Sequence, residues 1–230
     1  VSTEGCSPTI LLINPNTSVR TLRMMLDAAR PHLPPGLLLR GVCARAGVSM
    51  IADETELRAS ATEVLRLGQR EAPTVNAIIV AAFGDPGAAA LRGKLAIPVV
   101  GIGEASVLEA ASGERRFGIA TTTPALAAAI ERMVDALSLS HLFTGVRTSA
   151  VDPLVLAADA PRQDTVLARL VPECFDLDGA ETVIIGGGPL SAAAEALRRR
   201  FGPRVIEPLP AAIRRVSRLL GHGAMSFPPG

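Results

Sequence analysis

The chain predicts an α/β protein with mainly parallel sheets arranged in two subdomains. Short apolar runs without polar alternation punctuate the sequence, as expected of strands covered on both faces. Stretches with helical character separate these runs and supply the crossovers that parallel strands require. The unit of apolar run, polar turn and helix also recurs in both halves, with the turns at 82–86 and 187–190 in comparable places.

In order, residues 10–13 form an apolar strand that stops at Asn14-Pro15-Asn16. Thr17 or Ser18 then caps a helix to about Arg30, because a hydroxyl oxygen accepts an orphan amide hydrogen of the first turn. Residues 37–42 give the next strand, and 53–70 give a helix with one apolar face among acids and arginines. A buried strand follows at 77–81, a short helix starts at Pro86, and 97–100 is again a strand. Residues 106–112 are helical, with Glu104 near the start, followed by a strand at 116–120 and a helix at 125–137. A strand at 142–146 leads into a segment, 152–162, that carries no clear pattern, and 164–170 is helical. The last elements are a strand at 182–185, a helix at 191–200, a strand at 205–206 and a helix at 211–220. The expected division is 9–100 with 205–222 as one subdomain and 101–204 as the other, with flexible termini at 1–8 and 223–230.

Composition narrows the function classes. With 230 residues, 48% hydrophobic and 20% charged, the chain matches a soluble globular protein. Eighteen prolines and 21 glycines suit many short elements and exclude a coiled coil. A formal charge of +1 gives no electrostatic footprint for nucleic acid. Tryptophan and tyrosine are absent, which argues against a surface built on aromatic stacking. No apolar run reaches the roughly 18 residues of a membrane span, and the start lacks a secretory pattern, so the cytoplasm is the expected location. Cys6, Cys43 and Cys174 form no CxxC pair, and His32, His141 and His222 stand in no zinc-binding context, so no metal is expected. No dinucleotide fingerprint, phosphate-binding P-loop or nucleophile elbow is present.

Ligands of open parallel sheets bind beyond the carboxyl ends of the strands. Four turns lie there: 14–18, 82–87, 121–124 and 186–191. Asn14, Asn16, Thr17 and Ser18 combine amide side chains and hydroxyls at a helix start, which suits an anion or imide as well as an ordinary cap. Thr121 and Thr122 carry the same duality. Asp85 is either a cap or an acid/base group, and Gly186-Gly187-Gly188 is either a tight crossover or an approach for backbone amides to an oxyanion. Cys43 ends a strand near this edge, whereas Cys174 sits in a connection around Pro172-Glu173.

The segments Ile13-Asn14-Pro15-Asn16-Thr17-Ser18, Phe83-Gly84-Asp85-Pro86-Gly87, Gly101-Ile102-Gly103-Glu104-Ala105-Ser106 and Ile119-Ala120-Thr121-Thr122-Thr123 resemble the hydantoin/allantoin racemase branch of the aspartate/glutamate racemase superfamily. The resemblance runs from about residue 9 to 220. It implies two Rossmann-like subdomains related by a pseudo-two-fold axis, with the C-terminal stretch returning to the first, and a cleft between them. It implies no cofactor, a small carboxylate or cyclic imide or ureide as substrate, and a homo-oligomer. In such enzymes two cysteines face the substrate carbon from opposite sides, because inversion needs a base on one face and an acid on the other.

This sequence departs from the pattern at both positions. The resemblance places the family cysteines at Ala82 and Gly187, and neither methyl nor hydrogen exchanges protons. Four readings follow: an inactive form in which a native cysteine has been replaced to give Ala82; one-face chemistry, as in arylmalonate decarboxylases; other chemistry using Asp85, Glu104 or water; or a protein that only binds its ligand. Asn14, Asn16, Thr17, Ser18, Phe83, Gly84, Thr121, Thr122, Gly188 and Pro189 are the expected substrate contacts, with extra space created by the small residues Ala82, Gly187 and Gly188.

Overall fold

The computed structural model describes residues 7–222. Cys6 and nearly all of the two expected flexible termini lie outside the described residues.

Two four-stranded sheets, all of whose pairings are parallel, organise the chain. The first contains β1 (Thr9–Asn14), β2 (Leu38–Cys43), β3 (Ala77–Val80) and β4 (Val99–Gly101) in the order β2-β1-β3-β4. The second contains β5 (Phe117–Thr121), β6 (Phe143–Thr148), β7 (Thr182–Ile185) and β8 (Val205–Ile206) in the order β6-β5-β7-β8. The two orders are the same, so the central strand pairs β1–β3 and β5–β7 occupy equivalent places.

Helices α1 (Val19–Ala29), α2 (Glu54–Glu71) and α3 (Ala88–Arg92) belong to the first half. They are followed by α4 (Ile102–Ala110), α5 (Ala127–Ala136), α6 (Pro153–Ala158), α7 (Ala160–Asp176), α8 (Ser191–Phe201) and α9 (Pro208–Leu219). None of them is long and apolar enough to cross a membrane.

The absence of polar alternation in the strands has a direct structural reading. In β1, Ile10 and Leu12 join one core while Leu11 and Ile13 join another, against Val64, Leu67 and Leu91 of α2 and α3. In β7, Ile184 joins the same core as Ile10, whereas Val183 and Ile185 pack on Leu167, Leu170 and Leu197 of α7 and α8. Both faces of each central strand are therefore dry, and the core between the two sheets is shared. Helix α9 contributes Ile213 and Val216 to that shared core and packs on α4, α1, β3 and β4. Val205–Ile206 pairs with β7. The return of the chain to the first sheet thus begins after Ile206, later than the boundary expected at 205.

Several element boundaries move for identifiable reasons. Helix α4 begins at Ile102, four residues before the expected start, because the Asp85 carboxylate receives the amide hydrogens of Gly103 and Glu104 (2.8 and 2.6 Å). Helix α3 begins at Ala88, since Asp85 and Gly87 adopt positive φ (51° and 75°) and hold Pro86 in a turn. Cys174 lies within α7, which continues through Pro172. Pro172 removes one helical hydrogen bond, but Leu170, Val171 and Cys174 are buried around it, and that packing outweighs the local preference. The patternless segment at 152–162 forms α6 and the start of α7, with Asp152 and Asp159 as their side-chain caps.

Candidate functional site

The carboxyl ends of β1, β3, β5 and β7 face a cleft of about 640 Å³, a volume that includes its open mouth. Its floor comes from the strand-end turns: Asn16, Ala81 to Phe83, Thr121 to Thr123, and Gly186 to Leu190. Its outer walls come from residues that are apolar except for Gln163. Met50 and Ile51 arrive on the loop before α2, Leu126 and Ile130 on the approach to α5 and on α5 itself, and Ala157 and Gln163 on α6 and α7.

Of the expected site residues, Asn16, Ala82, Phe83, Thr121, Thr122, Gly187, Gly188 and Pro189 line this cleft. Asn14, Thr17, Ser18, Gly84, Asp85 and Glu104 do not. The first turn shows how they divide the work. Asn14 donates through Nδ2 to Asn16 Oδ1 (2.7 Å), and Ser18 N–H donates to the same oxygen (2.9 Å). Both acceptor positions of Asn16 are thereby taken, leaving its NH₂ as the group available to the cleft. Ser18 caps α1 through Thr21 N–H, and Thr17 is tied to the Val48 carbonyl. These residues stand behind Asn16 and fix it.

The β5 turn supplies hydroxyls. Thr121 donates to the Gly186 carbonyl (2.7 Å) and shares a contact with Thr123 Oγ1 (3.1 Å), which joins the β5 and β7 ends. Thr122, 2% exposed, has no protein partner for its hydroxyl among the described residues yet is not sealed from the cleft. The backbone N–H groups of Ala82, Phe83, Thr122, Gly187 and Gly188 likewise reach no acceptor within the described residues. The hydrogen-bond donors on this floor suit a carboxylate or a carbonyl oxygen that gains negative charge.

The carboxylates are placed elsewhere. Both Asp85 oxygens serve the N-terminus of α4, and burial pushes the Asp85 carboxyl up to about 7 despite the two amide hydrogens that favour its charged form. A side chain at Gly101 would collide with that carboxylate, its Cβ falling 2.1 Å from Asp85 Cγ, so glycine there is required by the cap. Glu104 pairs with Arg92 and with Arg215 of α9 (3.0 Å for the latter). Among the described residues no Asp, Glu, His, Lys, Arg or Cys lines the cleft. Among the described residues no group of three or more His, Cys, Asp or Glu is placed to hold a metal ion.

Of the two cysteines described, Cys174 is fully buried and its thiol is pushed up to about 12 by that burial. Cys43 is half-buried behind the first turn, its sulfur 3.6 Å from Asn14 Nδ2 and 3.4 Å from the Ser18 carbonyl. Burial raises the Cys43 thiol, partly opposed by the Asn14 hydrogen bond. Residue 187 has its own constraint. Gly187 holds φ +151° and ψ 130°, and an added Cβ would lie 3.2 Å from Leu190 Cγ. That backbone region is essentially restricted to glycine.

Comparison with known proteins places this geometry. Residues 10–216 match the model of the Asp/Glu/hydantoin racemase family. The chain belongs to that family. It is 29% identical over 222 residues to a hydantoin racemase of Rhizobium meliloti, covering 93% of this chain and 89% of that protein. Among solved structures, the allantoin racemase of Klebsiella pneumoniae superposes with a TM-score of 0.87 at 28% identity, covering 94% of this chain and 88% of the other. The allantoin racemase of Pseudomonas fluorescens also gives 0.87, at 25% identity and coverages of 93% and 91%. The racemase-family architecture explains why four turns distant in sequence converge on one cleft. The outer-wall residues escaped sequence reasoning because neutral side chains announce no chemistry; the one usable signal was Gln163, a lone amide one turn after the Asp159 cap.

Proposed function

We propose that this member of the racemase family holds a small carboxylate or cyclic ureide by a carbonyl oxygen, with the carbon next to that carbonyl facing residue 82. On this reading the cleft binds and polarises a carbon acid without a cofactor but carries no proton on either face as the sequence stands. The observation that carries the proposal is the contrast within one cleft. Donors from Asn16, Thr122 and backbone amides line the floor, and among the described residues every lining side chain is non-titratable.

Donors directed at a carbonyl lower the cost of the enolate-like charge that develops when the neighbouring proton leaves. Proton removal itself needs a base within reach, and a missing acid/base group costs roughly 10²- to 10⁴-fold. By the family resemblance, residue 82 is where such a base belongs on one face. The glycine-only backbone at 187 supports one-face chemistry over two-thiol inversion for this scaffold.

Proton–deuterium exchange at the α-carbon of 5-substituted hydantoins, allantoin, aspartate, glutamate and arylmalonates, followed by NMR with chiral analysis, tests the proposal. The expected result is ligand binding without exchange above buffer for the present chain, and exchange without inversion for Ala82→Cys. Rapid exchange by the unmodified chain, or no binding and no exchange in both proteins, overturns it.

A further inference from the structure

Gln163 is a polar lining side chain that the proposed chemistry leaves unused. It sits in the first full turn of α7, where its N–H donates to the Asp159 carbonyl (2.9 Å) and the Asp159 carboxylate is held by Arg162 N–H (3.1 Å). Its side-chain amide makes no hydrogen bond within the described residues, although the residue is half-buried and borders the cleft. The surrounding wall is apolar, formed by Met50, Ile51, Leu126, Ile130 and Ala157. A glutamine facing such a wall has both an acceptor and two donors to offer a ligand.

The floor and this wall ask for different chemistry. Asn16 has spent its oxygen on Asn14 and Ser18, so its side chain offers the floor only donors. Gln163 is the lining amide whose carbonyl remains open to receive an N–H. Among the described residues no cationic side chain lines the cleft, so a ligand with two carboxylates would have to desolvate its second charge without a partner, which is strongly unfavourable. A neutral ring that alternates C=O and N–H satisfies both sides.

Building on the carbon-acid cleft proposed above, we infer that Gln163 is a specificity-determining residue that pairs with the N–H/C=O edge of a cyclic ureide and selects it over a dicarboxylate. The floor donors take the carbonyl adjacent to the reactive carbon, and Gln163 takes the ring edge remote from it. The substrate class is therefore a ureide ring with a modest apolar substituent lying against Met50, Ile51 and Leu126.

Calorimetric titration of the full chain at pH 7 tests this with 5-methylhydantoin, its ring N-methylated analogues, propionate and methylmalonate. The unmodified protein is expected to bind 5-methylhydantoin more tightly than methylmalonate. Gln163→Leu is expected to weaken 5-methylhydantoin about 5- to 20-fold, the effect of one or two hydrogen bonds, while changing propionate less than about 2-fold. Gln163→Glu keeps a carbonyl-type acceptor, so it should retain more ureide affinity than Leu and reject methylmalonate further. At least one N-methylated ring should lose affinity for the unmodified protein and show little further loss with Gln163→Leu. Unchanged hydantoin affinity in both variants, or equal losses for hydantoin and propionate, overturns the role of Gln163 and leaves the carbon-acid cleft standing. If neither hydantoin nor propionate binds the unmodified protein, both proposals fall.

Discussion

A thiol introduced at residue 187 meets a backbone that rejects it, whereas one at residue 82 does not. Gly187 has φ +151° and ψ 130°, and holding an ordinary L-residue there costs about 1–3 kcal/mol. The new Cβ would also lie 3.2 and 3.3 Å from Leu190 Cγ and Cδ1, and Leu190 is only 3% exposed, so it has little room to yield. Overpacking of this kind adds about 1 kcal/mol. Gly187→Cys should therefore lose ~2–4 kcal/mol, which for a chain of this size lowers Tm by about 5–15 °C. Ala82 is half-buried beside the cleft and lies outside the positive-φ residues, so Ala82→Cys should stay within ~0.5 kcal/mol. Calorimetric melting of both variants and the double variant checks the contrast. A Tm change below about 2 °C for Gly187→Cys, or equal losses for the two substitutions, would refute the argument from backbone conformation.

Further expectations follow from the same structure. Asp85→Asn turns one acceptor into a donor facing an amide hydrogen and should cost ~1–3 kcal/mol in urea unfolding. The folded Asp85 carboxyl lies near 7 against an ordinary 3.8, so its contribution to stability is full below about pH 4 and is lost as pH rises through 7. The stability advantage of the parent over Asp85→Asn should accordingly shrink between pH 5 and 8; an advantage that grows would contradict the assignment. Thiol labelling of the folded chain should leave Cys174 untouched until unfolding and modify Cys43 slowly, while an Ala82→Cys thiol at the open cleft reacts faster than either. Ile213→Ala, emptying a fully buried site on α9, should cost about 2–5 kcal/mol by equilibrium unfolding.

Much of the fold is readable in the sequence because its strands lie dry on both faces. The four-residue run at 182–185 and the pair 205–206 are bounded by breakers or charge and leave little choice of register or extent. Reading fails where a distant group decides the outcome. The start of α4 depends on Asp85, which lies 17 residues before Ile102, and the passage of α7 through Pro172 depends on the packing of neighbouring strands and α8. The site divides in the same way. Asn16, Ala82, Thr121 and Gly187 sit at strand ends, where topology alone brings them together. Gln163, Met50 and Ile51 become neighbours of the cleft only after two lobes and a helical pair have closed around it.

The return of α9 to the first sheet sets an order for the birth of this protein. Every strand of the second sheet has been synthesised once Ile206 has emerged, yet the core beside Ile10 and Leu12 still lacks Ile213 and Val216. The half of the molecule that leaves the ribosome first is thus the last to be sealed. A nascent chain halted after β8 would present an uncovered apolar face, the kind of surface that recruits chaperones or drives aggregation. Closure of that apolar face therefore waits on α9.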